Sequence, residues 1–130
     1  MEIYSRFWIK KDGKNYLGLG KVELLERIQQ SGSISKAAKQ MRMSYKAAWD
    51  GIDIANKLSY PESLVISNAG GGKDSGTKVT ERGQVAMDAY RNLQRLHDKF
   101  FGYFEGVKSF EEINARTQAI ESALNNVKIK

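Results

Sequence analysis

Apolar and polar residues alternate near the amino terminus, which is the pattern of a β-strand. Over residues 2–10 the large side chains occupy both faces, with Ile3, Phe7 and Ile9 on one side and Tyr4 and Trp8 on the other. The dipeptide Asp12-Gly13 then precedes a second β-favouring run at 15–17. Asp-Gly suits a two-residue hairpin turn, because such a turn needs positive φ at both central residues. The pattern predicts an N-terminal β-hairpin that packs on both faces.

From residue 21 to residue 58 the apolar residues recur at the spacing of an α-helix, in three segments. Ser33 and Ser44 precede the second and third segments and are suited to cap them, since a serine hydroxyl accepts a hydrogen bond from a backbone N–H of the first turn. Only Arg42 and Met43 separate the second segment from Ser44, which requires a tight turn. The inward-facing residues would be Val22, Leu24, Leu25 and Ile28, then Ile34, Ala37, Ala38 and Met41, then Ala48, Ile52 and Ala55.

Two short helices joined by a tight turn form a helix-turn-helix pattern, and the next segment extends it. A short strand at 64–67, a glycine-rich stretch at 68–76 and a return strand at 77–79 follow the third helix. A hairpin in this position is a wing. The predicted fold class is mainly α with small β elements, namely a winged helix-turn-helix with an N-terminal β-hairpin and a long C-terminal dimerisation helix.

That long helix is predicted over 81–105, with Thr80 as its cap. Its length would be about 37 Å at 1.5 Å per residue, and its apolar stripe is longer than so small a domain can cover alone. Pairing with a second copy would bury the stripe; the alternative is that the chain's own hairpin and first helix wrap it. The residues expected to dimerise are Ala86, Ala89, Tyr90, Leu93, Leu96, His97, Phe100, Phe101 and Phe104.

A break at Gly106 ends this helix in the sequence pattern. Ser109 and Glu112 then form a capping box for a modest terminal helix. We expect residues 1–106 to form the DNA-binding and dimerisation domain, and residues 107–130 to form a helical tail.

The composition narrows the choice of function. The 130 residues include no cysteine and one histidine, which excludes disulfides, thiolate metal sites and a two-histidine metal site within the chain. No nucleophile–base constellation is evident, so no catalytic residue and no enzymatic activity are expected. No apolar run is long enough to span a bilayer, and the first residues lack the order of a signal peptide. The sequence therefore predicts a soluble, cytoplasmic protein that does not contact a membrane.

The net charge of +6 is concentrated in one part of the chain. Residues 1–46 contain ten basic and four acidic residues, so their excess equals the net charge of the whole chain. A basic segment indicates a polyanionic partner, with double-stranded DNA first, although a merely solvated surface is the alternative. The residues expected to contact DNA are Ser33, Ser35 and Lys36, then Ser44, Tyr45, Lys46 and Trp49, and in the wing Lys73 and Lys78.

Several motifs resemble one known family. They are GSISKAA at 32–38, SYKAAWD at 44–50, Asn56, GGGK at 70–73 and VTERG at 79–83. Over roughly residues 16–105 the chain resembles the N-terminal domain of the molybdate-responsive regulator ModE. The resemblance implies a dimeric winged helix-turn-helix, joined through the long helix and elements near the N-terminus, that usually represses molybdate-uptake genes when the oxyanion is bound.

Members of that family continue into tandem β-barrel domains that bind molybdate or tungstate. Because the sequence stops at Lys130, we expect those domains to be absent and the chain to hold no cofactor of its own. The segment at 114–118 resembles the family's Ser-Ala-Arg-Asn-Gln motif, so Arg116 is the residue that the resemblance assigns to oxyanion binding. A module that modulates a full-length regulator, or a small oxyanion-binding protein, stay as alternatives to a DNA-binding regulator.

Overall fold

A computed structural model describes residues 1–68 and 76–127 of the chain. In chain order its elements are β1 (Ile9–Lys11), β2 (Lys14–Leu17), α1 (Leu19–Ser31), α2 (Ile34–Gln40), α3 (Tyr45–Ser59), β3 (Val65–Asn68), β4 (Gly76–Val79), α4 (Glu81–Gly102) and α5 (Phe110–Leu124). The chain divides into two compact units, one formed by Phe7–Asn92 and the other by Met1–Arg6 with Leu93–Lys130. Within the described ranges, no helix is both long enough and apolar enough to cross a membrane.

The N-terminal hairpin is shorter than the alternation predicts. β1 and β2 pair in antiparallel fashion across Asp12 and Gly13, whose φ angles of 53° and 74° confirm the predicted turn. β2 has only four residues, and within the described residues the pairing of β1 begins at Ile9, opposite Leu17. The prediction of a strand from residue 2 with both faces packed is therefore wrong, and Trp8 is 52% exposed.

The helix-turn-helix is built as the apolar spacing predicts. α1 ends at Gly32, whose φ of 70° is the left-handed conformation common just after a helix. The hydroxyl of Ser33 accepts from the backbone N–H of Lys36 at 3.1 Å, and that of Ser44 accepts from Ala47 at 3.0 Å. The predicted inward residues form the core except Met41, which packs against it while partly buried. The buried apolar residues of the three helices are Val22, Leu24, Leu25, Ile28, Ile34, Ala37, Ala38, Ala48, Ile52 and Ala55.

β3 and β4 form the base of the wing, which confirms the winged-helix class. They pair in antiparallel register from Val65 opposite Val79 to Asn68 opposite Gly76. The backbone N–H of Thr77 donates to the carbonyl oxygen of Gly32 at 3.0 Å, so β4 is bonded to the corner between α1 and α2.

One asparagine of α3 connects that helix to β3. The Oδ1 atom of Asn56 accepts from the backbone N–H groups of Leu64 at 2.9 Å and Val65 at 3.1 Å. Its Nδ2 atom donates to the carbonyl oxygen of Val65 at 2.9 Å. The side chain therefore satisfies three backbone groups where β3 begins, and it fixes the wing to the helix.

α4 begins where Thr80 predicts. The Thr80 hydroxyl accepts from the backbone N–H of Gly83 at 3.0 Å and donates to the carbonyl oxygen of Ser63 at 2.6 Å. Within the unit 7–92, α4 buries Gly83, Met87 and Tyr90, and the Tyr90 ring stacks on Phe7 with centroids 4.9 Å apart. The helix ends at Gly102, so the predicted extension to residue 105 is wrong.

The other unit is organised around the residues after α4. Phe104 and Val107 are buried there, and the N-terminal ammonium of Met1 donates to the carbonyl oxygen of Val107 at 3.2 Å. The predicted cap of α5 is present, since Ser109 Oγ accepts from the backbone N–H of Glu112 at 3.1 Å. No residue of α5 is fully buried, although several of its side chains are half-buried.

Candidate nucleic-acid interface

The first turn of α3 presents an exposed set of donors. Tyr45 is 56% exposed, so it lies outside the core and its phenol is accessible. Lys46 is also exposed, and its Nζ atom lies 2.9 Å from the Oδ2 atom of Asp50. An exposed ion pair of this kind contributes about 0–1 kcal/mol, so a stronger acceptor can displace the aspartate. Ser44 has a structural role here, because its hydroxyl caps the helix.

The electrostatic setting of this helix end favours anions. No acidic residue occupies the first turn of α3. The partial positive charge of the helix N-terminus is therefore not neutralised from within the helix. Together with Lys46, this end of α3 has the charge and the donors to meet a phosphate or a base edge.

Trp49 lies one turn further along α3 and is 47% exposed. This tryptophan, which the sequence analysis places among the expected DNA contacts, is thus half exposed. It borders a small cavity of about 110 Å³ where α2, α3 and β3 meet, lined by Ile34, Trp49, Ile52, Asp53, Asn56, Val65 and Ser67.

The other predicted contact residues lie on α2 and in the wing. Ser35 and Lys36 are exposed on α2, which packs against α3, whereas the Ser33 hydroxyl serves as a cap. Lys78 is exposed on β4 opposite Ile66. Lys73 lies outside the described residues.

Lys21 of α1 contacts the middle of α3, which the sequence pattern does not predict. Its Nζ atom donates to the carbonyl oxygen of Gly51, in the middle of α3, at 2.8 Å. Burial lowers the pKa of this lysine from its ordinary value. A Cβ at position 51 would lie 3.1 Å from Lys21 Cε, so the absence of a side chain at Gly51 leaves room for the lysine. Nothing local marks the pair, because the two residues are far apart in sequence.

The residues predicted to dimerise fall on two faces of α4. Tyr90 is buried in the core of the unit 7–92, while Ala86 packs partly against that core and Ala89 is exposed. In the other unit, His97 and Phe101 have ring centroids 4.8 Å apart, and Phe104 is buried beside them.

The exposed apolar side of α4 lies elsewhere on the helix. Leu93 and Leu96 are 43% and 64% exposed, although they are large aliphatic residues. An open apolar groove of about 420 Å³ lies along this side, lined by Leu96, Lys99, Phe100 and Tyr103 with Ala119, Ile120, Ala123 and Leu124 of α5. Such a surface is typical of protein–protein contacts.

Arg116 is held by the backbone at the end of α4. Its Nη1 atom donates to the carbonyl oxygens of Tyr103 and Glu105, each at 2.8 Å. The guanidinium therefore satisfies carbonyl groups that follow the helix. Within the described part of the chain, no cluster of three or more metal-ligating side chains is found.

Comparison with known proteins gives several relatives. The molybdenum transport protein ModE of Azotobacter vinelandii is 47% identical over 90 residues, which are 69% of this chain and 33% of that protein. The DNA-binding transcriptional dual regulator ModE of Escherichia coli K12 is 38% identical over 94 residues, or 72% and 35% of the two chains. The molybdenum-pterin-binding protein MopA of Rhodobacter capsulatus is 33% identical over 104 residues, or 80% and 39%.

The chain thus spans 33% to 39% of the length of these three relatives. No protein-family model matches it.

Proposed function

Because the chain belongs to the ModE family over the N-terminal portion that it shares with those proteins, we propose that it is a sequence-specific, double-stranded-DNA-binding transcriptional regulator. In this proposal two copies pair, and each inserts α3 into the major groove at one half of an inverted repeat. The half-sites lie about one helical turn, or a multiple of it, apart.

The observation that carries the proposal is the exposed first turn of α3. Tyr45 and Lys46 are at the surface of a helix whose packed face is otherwise apolar, and no carboxylate lies in that turn. Lys36 and Lys78 are exposed on the neighbouring elements and supply phosphate contacts. Lys73 would add a contact from the wing.

The regulated genes concern molybdate or tungstate in this proposal, which follows the molybdenum named in the relatives. The chain itself supplies no oxyanion site in our proposal. Both Nη1 N–H groups of Arg116 already donate to backbone carbonyl oxygens, so in this proposal the side chain has a structural role after α4.

Lys46→Ala tests the role of α3. We expect it to raise the Kd for the preferred duplex about tenfold, because a base or charged phosphate contact contributes about 1–3 kcal/mol. The preferred duplex is obtained by selection from a random-sequence library with the whole 130-residue chain. Fluorescence anisotropy then gives the Kd, and the affinity of the parent chain should fall steeply as salt rises.

Lys57→Ala is the matched control for this experiment. Lys57 lies in the last turn of the same helix and pairs with Asp53 at 2.9 Å, as Lys46 pairs with Asp50. Its replacement removes the same charge and the same type of ion pair, and it should change the Kd less than about twofold. Equal losses for the two variants, or no selected sequence at all, would contradict the proposal.

Leu96→Asp tests pairing through α4. We expect the parent chain to sediment as a dimer and this variant as a monomer, because a buried carboxylate opposes association strongly. Val127→Asp is the control, since Val127 is 57% exposed in the same unit and lies outside α4. A monomeric parent chain at tens of micromolar would remove the homodimer and leave the module that modulates another regulator.

A further inference from the structure

Arg42 has an unfavourable backbone conformation in the turn between α2 and α3. Its φ is 55°, in the left-handed region that raises the energy of any residue with a Cβ. Among the described non-glycine residues only Asp12 shares this feature. Asp12 lies in the Asp-Gly hairpin turn, where a short polar side chain tolerates the conformation. An arginine has no such local advantage.

The turn itself does not need an arginine side chain. It is closed by backbone bonds, from Arg42 N–H to the carbonyl oxygen of Lys39 at 3.1 Å and from Met43 N–H to that of Ala38 at 3.0 Å. The Arg42 side chain is exposed, and it makes no hydrogen bond or ion pair with any residue that the structure describes. Glycine would serve the same turn without strain, so the fold does not account for the arginine.

Arg42 lies close in sequence to the first turn of α3. Two residues separate it from Tyr45, so the two Cα atoms are three steps of chain apart and lie at most about 11 Å from each other. Its guanidinium thus lies within reach of the end of α3 that carries Tyr45 and Lys46. A side chain just outside the first turn of α3 would face the edge of a groove entered by that end of the helix, where the DNA backbone runs.

We propose that Arg42 binds a phosphodiester of the DNA backbone beside the groove entered by α3. A guanidinium binds two phosphate oxygens at once through its planar pair of N–H donors. The proposal rests on the DNA-binding function proposed above. A strained backbone conformation persists where the surrounding structure holds it in place. Here the two backbone hydrogen bonds of the turn hold Arg42.

Arg42→Gly separates strain from binding. The variant keeps the turn and removes the guanidinium, so the Tm of the protein should stay equal or rise by a few degrees. Its Kd for a fluorescein-labelled 30-base-pair duplex of random sequence should rise about fivefold, measured by anisotropy over a salt series. The slope of log K against log salt should fall in magnitude by about 0.9 for each phosphate that the variant no longer binds.

Three control variants complete the experiment. Arg42→Lys keeps the charge and the strain, so most of the salt slope should remain. Asp12→Gly relieves the other left-handed position, so its Tm should follow that of Arg42→Gly while its affinity does not fall. Lys108→Gln removes one exposed positive charge from the other compact unit, and its Kd should change less than about twofold.

The outcomes distinguish the two proposals. A parent chain that fails to bind the random duplex would overturn DNA binding itself. A parent chain that binds, with Arg42→Gly equal to Lys108→Gln, would overturn the phosphate contact alone. A loss confined to one selected sequence would mean a base contact instead, and a lower Tm for Arg42→Gly would mean a structural role; either result contradicts the proposal.

Discussion

Asn56→Ala should lower the free energy of unfolding by about 3 kcal/mol, because it leaves three backbone groups without their partners and each missing bond costs about 1–3 kcal/mol. These groups belong to Leu64 and Val65, which are 0% and 4% exposed, so water replaces the missing bonds poorly. Urea unfolding followed by circular dichroism measures the change.

Two further variants define that result. Asn126→Ala removes an exposed amide whose Nδ2 atom donates a long hydrogen bond of 3.3 Å to the carbonyl oxygen of Ser122. This substitution should leave the free energy of unfolding nearly unchanged. Asn56→Asp keeps an acceptor oxygen but directs a second oxygen at the Val65 carbonyl, so it should not restore stability. A loss of stability below about 1 kcal/mol for Asn56→Ala would mean that the wing is fixed to α3 by other contacts.

Gly83→Ala should also cost about 3 kcal/mol, although alanine is the better helix former by about 1 kcal/mol. A Cβ at position 83 would lie closer to the Leu64 carbonyl oxygen than real Cβ atoms approach, and 2.6 Å from Cγ1 of Val79. Backbone cannot move aside cheaply, so α4 would have to shift away from β3 and β4. Thermal unfolding of the variant measures the destabilisation.

Gly20→Ala is the matched control for that substitution. Gly20 lies in the first turn of α1, and a Cβ there would meet nothing within 4 Å. It should stabilise the protein by up to about 1 kcal/mol. Stabilisation by both substitutions would show that α4 packs less closely on β3 and β4 than these distances indicate.

The sequence predicts well those features that depend on neighbouring residues. The caps at Ser33 and Ser44 involve a hydroxyl and a backbone N–H three residues away, so the order of residues determines them. The turn at Asp12 and Gly13 is local in the same sense. The helical core was predicted because apolar spacing in α1, α2 and α3 directly sets which side is buried.

Features that depend on distant partners were missed or wrong. The alternation before Ile9 is typical of a strand, yet β2 is too short to pair with it. The apolar spacing of α4 predicts one continuous surface, whereas Tyr90 belongs to the core and Leu96 is exposed. The bonds of Asn56 join residues eight and nine positions apart across two element types, which no periodicity reveals. The dimer and DNA contacts themselves stay predictions.

The carbonyl oxygen of Gly32 holds the base of the wing against the corner between α1 and α2. This oxygen accepts a hydrogen bond from the backbone N–H of Thr77. A Cβ at position 76 would lie 3.0 Å from the same oxygen, so the close approach of β4 to this corner favours glycine at position 76. The distance between this corner and the base of the wing is therefore fixed. One inserted base pair displaces the next contact by about 3.4 Å and rotates it by about 35°. In the proposed complex with DNA, a wing held at this distance would tolerate changed bases beneath it far better than changed spacing.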